Sequence, residues 1–127
     1  MAERLLDLVN EYRSAADALP IALQLNRLVG LLRVHLAQED VQLYPELIAS
    51  GDPETARMAL AYASEMGGLA GELELFAQRW SSSVGIAAAF AEFAEVTREL
   101  MLRLATRIER ENRYLYPLAG PPVRRAA

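Results

Sequence analysis

His35-Leu36-Ala37-Gln38-Glu39-Asp40-Val41-Gln42-Leu43-Tyr44-Pro45 and Arg107-Ile108-Glu109-Arg110-Glu111-Asn112-Arg113-Tyr114-Leu115-Tyr116-Pro117 are two copies of one phrase. Glu39 aligns with Glu111, and Leu43-Tyr44-Pro45 aligns with Leu115-Tyr116-Pro117. The first position differs: His35 in one copy, Arg107 in the other. A histidine and a glutamate four residues apart share one face of a helix and can bind a common cation. An arginine offers no lone pair and cannot ligate a metal. The repeat points to a metal-binding ancestry, and the arginine argues that the metal is gone.

Outward from the two phrases, every long segment reads as helix. Alanine, leucine, glutamate and arginine dominate, and strand-type alternation is absent. The pattern predicts a first helix near residues 3–18. A second starts at Pro20, a residue suited to a first turn, and runs to about Ser50. Gly51 suits a C-terminal cap, Asp52 an N-cap and Pro53 the first position of a third helix, which ends near Trp80. Ser81-Ser82-Ser83 forms a short capping loop, and a fourth helix spans about Val84 to Leu118. Short loops favour antiparallel neighbours, so the expected fold is all-α, an up-down-up-down antiparallel four-helix bundle over residues 1–119. Residues 120–127 are expected to be a flexible tail. Both Leu-Tyr-Pro units fall near helix ends, where they serve either helix termination or the shaping of a site; Pro45 has about one turn after it, so a kink or break is expected there.

Apolar spacing of three and four defines the inward faces. The second helix turns Ile21, Leu25, Leu28, Leu32, His35, Glu39 and Leu43 inward. The fourth presents Phe90, Phe93, Thr97, Leu100, Leu104, Arg107, Glu111 and Leu115. The third offers Tyr62, Met66, Leu69, Leu73, Phe76 and Trp80, and the first Leu5, Leu8, Tyr12, Ala15 and Leu19. Buried charges must meet partners. Arg107 is therefore expected within hydrogen-bonding distance of Glu39, Glu111 or both. His35 then has two expected behaviours. If Arg107 takes Glu111, Glu39 is free to favour the imidazolium, and His35 becomes a pH switch. If Arg107 takes Glu39, His35 stays neutral and bonds Tyr12 or a backbone carbonyl.

Composition excludes several classes of function. The 127 residues carry a net charge of −4 and no basic stripe, which gives no reason to expect nucleic acid as a partner. Cysteine is absent, which removes disulfides, thiolate metal sites and thiol catalysis. The acidic, amphipathic start does not read as a signal peptide, and no apolar run is expected to span a membrane. The expected location is the cytoplasm. No glycine-rich phosphate loop follows a strand, and no serine has the setting of a nucleophile elbow. Gly67, Gly68 and Gly71 lie mid-helix, where each costs ~1 kcal/mol against alanine. Close helix approach or a small pocket beside Met66 are the two explanations they invite.

The doubled phrase on two of four helices resembles the hemerythrin-like, or HHE cation-binding, family. The resemblance covers about residues 3–119. It implies a histidine-x-x-x-glutamate pair followed by Leu-Tyr-Pro on the second and fourth helices, with a further histidine on each of the others, often after a glutamate. His35 and Glu39 match the first pair, and Glu111 matches the second carboxylate. Arg107 stands where the second histidine belongs. Glu65-Met66 stands for the third-helix pair, and Glu11-Tyr12 for the first-helix pair, so Met66 and Tyr12 replace ligands. The family's usual activity, a carboxylate-bridged pair of irons handling oxygen or related small molecules, would lose most of its nitrogen ligands here, because His35 is the one histidine in the chain.

The expectation is thus a vestigial site of His35, Glu39 and Glu111, with Arg107, Met66 and Tyr12 at lost ligand positions. No cofactor and no enzymatic activity are expected. The chain would bind a protein or small ligand, with room for a homodimer and none for nucleic acid or membrane. The alternative is a divergent metal-binding protein that keeps iron as a sensor or carrier.

Overall fold

The first helical stretch contains its own stop signal, and the computed structural model, which describes residues 2–119, follows it. Helix α1 spans Ala2–Asn10 and buries Leu5 and Val9. It does not continue to residue 18. Ser14 is extended (φ −153°, ψ 170°), and the Asp17 carboxylate accepts hydrogen bonds from the backbone N–H groups of Arg13 (2.8 Å) and Ser14 (3.2 Å). A serine followed three residues later by an acid is an N-terminal signature, hidden here in a run of good helix formers. One 3-10 turn, Ala15–Asp17, leads into α2, Ala18–Gln38.

The helical path past α2 goes on through a π-helical turn, Glu39–Leu43, into α3, Tyr44–Ile48. Gly51 takes φ +88°, a conformation open to glycine at little cost. Asp52 then caps α4, Pro53–Arg79, with the Thr55 hydroxyl 2.6 Å from its carboxylate. Ser82 accepts the Gly85 N–H at 3.1 Å and starts α5, Ser83–Ala88. Ala89 breaks the regular geometry (φ −140°, ψ 50°), so the expected single helix from Val84 is two. The break leaves Ile86 fully buried while Phe90 stacks on Tyr12. Helix α6, Phe90–Arg110, runs into a second π turn, Glu111–Leu115, and a 3-10 turn, Tyr116–Ala119. The protein is all-α, with no strand among the described residues. The expected tail, 120–127, lies outside them.

The described residues form two compact units. One takes the chain up to Leu32 with Glu72–Arg103; the other takes Arg33–Gly71 and the residues from Leu104 onward. The first is anchored by aromatic packing, with Phe93 at 6.1 Å from Phe76 and edge-on to Trp80 at 5.3 Å. The second is built on Leu43, Tyr44, Leu47, Ala59, Tyr62, Leu115 and Tyr116. Burying each large apolar side chain contributes about 1.5–3 kcal/mol.

The inward faces of α2, α4 and α6 follow the apolar spacing closely. His35, Glu39 and Glu111 are all buried, as are Met66 and Thr97. The first helix departs from it, because α1 ends early: Ala15 is exposed and Leu19 is 56% exposed. One further expectation needs correction. The helical stretch Ala15–Ile48 does reach membrane-spanning length, with a mean hydropathy of 1.2 over its most apolar window. It is apolar on both sides, since Leu23, Leu31, Val34 and Val41 are exposed while Ile21, Leu25, Leu28 and Leu36 are buried.

Candidate metal centre

Both copies of the repeated phrase become π turns, and this decides what they bring together. In an α-helix of about 3.6 residues per turn, a residue five positions on points about 140° away. A turn closed from residue i to i+5 returns that residue to the starting face. The Tyr44 N–H bonds the Glu39 carbonyl, and the Tyr116 N–H bonds the Glu111 carbonyl, each an i to i+5 link. Tyr44 thereby joins the face of Glu39, and Tyr116 that of Glu111. The wider turn also accommodates Pro45 and Pro117, which follow at once. Proline lacks the N–H that an α-helix needs and clashes with the carbonyl four residues back, and the opened ring displaces that carbonyl. The expected kink at Pro45 is this π turn, and α3 continues beyond it.

The tyrosines then cross over. The Tyr44 hydroxyl donates to Glu111 of the other copy, with Glu39 Oε1 at 3.4 Å. The Tyr116 hydroxyl donates to Glu39 Oε2 at 3.0 Å. His35 Nε2 lies 3.2 Å from the same Glu39 oxygen. Nε2 nevertheless has no hydrogen-bond partner; neither has Glu111 Oε1 or Asn112 Oδ1, all three buried atoms. One donor atom each from His35, Glu39 and Glu111 falls within 4.8 Å of the others. Three ligands on one first-row divalent ion sit ~3.4 Å apart, so the donors need only a modest inward movement to share a cation.

Arg107 is not where buried-charge reasoning put it. It bonds neither Glu39 nor Glu111. Its guanidinium pairs with Glu65 of α4 and lies 4.9 Å over the Tyr62 ring. Glu65 is half exposed, its side chain retaining 52% of its accessibility. A long arginine side chain that reaches a solvated carboxylate avoids the desolvation that a fully buried pair would require. Neither buried carboxylate takes Arg107 as its ion-pair partner. The Glu111 carboxyl is pushed up to about 8, chiefly by burial and then by the charge and hydrogen bond of Glu39, while the Tyr44 hydrogen bond and the more distant Arg107 oppose. Burial and the two carboxylates hold the Tyr44 phenol protonated far above its usual range.

Met66 and Tyr12 are the other positions expected to stand in place of ligands. Met66 is buried in the second unit. Tyr12 lies in the turn after α1 rather than on a helix, with its ring stacked on Phe90 at 3.6 Å. Glu11-Tyr12 is therefore not a helical ligand pair. The glycines beside Met66 line neither a close helix contact nor a pocket: each of Gly67, Gly68 and Gly71 is exposed, and an added Cβ would meet nothing within 4 Å. What sequence reasoning missed is the carboxylate partner of the Tyr44 and Tyr116 hydroxyls. Both tyrosines were signalled by the exact repetition of Leu-Tyr-Pro, which reads equally as helix termination or as a shaping role near a site.

The family model described as the hemerythrin HHE cation binding domain matches residues 3–119. No curated protein and no solved structure matches the chain.

Proposed function

Because the chain belongs to the hemerythrin HHE cation-binding family, we propose that it is a non-enzymatic, regulatory or binding member whose centre holds one divalent cation instead of two bridged irons. The supporting architecture is an up-down-up-down four-helix bundle. The α1, α2-to-α3, α4 and α6 stretches would be its members, and their short connections favour antiparallel neighbours. A cytoplasmic location fits the absence of cysteine.

One observation carries the reading: His35 Nε2 and Glu111 Oε1 are buried without hydrogen-bond partners beside Glu39, and Arg107 pairs with Glu65 instead. Unpaired buried polar atoms are costly, and a cation coordinated by them removes the cost. A mixed imidazole–carboxylate set suits zinc, manganese or ferrous iron. It does not fit a pair of irons. One imidazole is too few, and Tyr44 and Tyr116 already engage oxygens of both carboxylates that a bridging mode would need. A bound cation would neutralise the two carboxylates and tie the two π turns together, so occupancy would be read out as stability. The ligand set is at most 6% exposed, which favours a structural or sensory ion over one that meets substrate.

Metal analysis and equilibrium dialysis of untagged protein against Zn²⁺, Mn²⁺ and Fe²⁺ test this. One ion per chain is expected, abolished by His35→Ala. Two irons per chain with oxo-bridged absorption would overturn it. A second reading has its own support: with the Glu111 carboxyl protonated to about pH 8, the layer is neutralised by a proton and needs no metal. In that case the chain would act as a metal-free partner-binding domain, and dialysis would find no ion.

A further inference from the structure

We propose that Tyr44 and Tyr116 are positioning residues for the cation: a reciprocal clasp in which each phrase's tyrosine holds the other phrase's glutamate and selects which oxygens remain for the ion. The proposal rests on the one-cation reading above and deepens it. Each hydroxyl crosses between the two π turns, Tyr44 to Glu111 Oε2 and Tyr116 to Glu39 Oε2. Tyr44 also lies within 3.4 Å of Glu39 Oε1. The consequence is asymmetric. Glu111 keeps Oε1 open, whereas both oxygens of Glu39 already have neighbours.

A carboxylate with one oxygen held by a phenol is oriented to ligate through the other in a single, monodentate mode. Glu111, held through Oε2, keeps Oε1 for the ion, while Glu39, held through Oε2 by Tyr116, has the oxygen 3.4 Å from Tyr44 to offer beside His35. The clasp works only because the π turns bring Tyr44 and Tyr116 onto the faces of the glutamates; in an uninterrupted α-helix neither hydroxyl would arrive. Partners that orient ligating carboxylates are worth about 10–100-fold in metal affinity, the range expected for each tyrosine.

Full-length wild type, Tyr44→Phe, Tyr116→Phe, His35→Ala and the exposed-site control Tyr114→Phe are titrated with Co²⁺, whose visible bands report coordination geometry. Far-UV circular dichroism establishes that each variant is folded. Support is a single Co²⁺ per chain in wild type, about 10–100-fold weaker binding with altered bands in each clasp variant, and a wild-type result for Tyr114→Phe. Clasp variants that match wild type in affinity and spectrum, while His35→Ala loses the ion, overturn the clasp and leave the one-cation reading intact. No binding by wild type overturns both. A tyrosinate band that grows in wild type on adding Zn²⁺ makes a tyrosine a ligand and also overturns the positioning role. That measurement needs no variant, so it stands even if a substitution prevents folding.

Discussion

Glu111→Gln is the substitution that most directly probes the buried layer. In the metal-free protein the Glu111 carboxyl rises from 4.5 to about 8. The folded state therefore keeps a proton that the unfolded chain gives up above about pH 4.5. Stability falls with pH wherever the folded state binds more protons. The contribution of Glu111 is thus fully present below its unfolded value and is lost as pH rises through about 8. Each unit corresponds to about 1.4 kcal/mol, so the interval sets a ceiling of ~5 kcal/mol, and relaxation of a buried carboxylate brings the expected loss to roughly 2–4 kcal/mol. Glutamine keeps the shape without the charge. Urea unfolding in the presence of a chelator, from about pH 5 to pH 9, should show wild type losing stability steadily. Glu111→Gln should stay nearly flat and be the more stable protein at the alkaline end. A flat wild-type profile, or the same slope in the variant, would refute the reasoning.

Three further outcomes follow from the same geometry. Gly68→Ala should raise stability by about 0.5–1 kcal/mol, since the position is helical, exposed and open to a Cβ; thermal melting checks it, and a loss would indicate an unseen contact. Arg107→Ala should cost only ~1–2 kcal/mol, because its partner Glu65 is half exposed and the Tyr62 contact adds a modest cation–π term. A double-mutant cycle with Glu65→Ala should return most of that as coupling. Arg107→His should raise Zn²⁺ affinity, measured by competition with a chromophoric chelator, by removing a fixed positive charge near Glu111 and supplying a second imidazole.

Much of the helical plan is legible because its signals are local. Gly51-Asp52-Pro53 marks a turn by backbone chemistry, and the three-and-four spacing of Tyr62, Met66, Leu69, Leu73, Phe76 and Trp80 picks out a face that is buried throughout. Burial of His35, Glu39 and Glu111 is read the same way. Other features depend on competition between signals of equal rank. Ser14 and Asp17 sit among helix formers, and only the hydrogen bonds to Arg13 and Ser14 show that the cap wins. The direction of Arg107 is harder still. Spacing places its Cβ, but a four-bond side chain chooses its partner afterwards, and Glu65 offers the less desolvated pair.

The π turns explain why the repeat carries more than either copy. Read alone, Leu-Tyr-Pro says that a helix is ending, because proline cannot continue the hydrogen-bond ladder. Read twice, it requires a reason for the tyrosine as well as the proline. The structure supplies one: the proline favours a widened turn, the widened turn carries the tyrosine onto the glutamate's face, and there the hydroxyl finds the carboxylate of the other copy. Each phrase's tyrosine reaches the other phrase's glutamate. Arg107 offers no nitrogen ligand, yet the carboxylate pair does not depend on it, since the clasp runs through Tyr44 and Tyr116 and not through position 107. On the one-cation proposal, one imidazole and two clasped carboxylates are what a single ion would need.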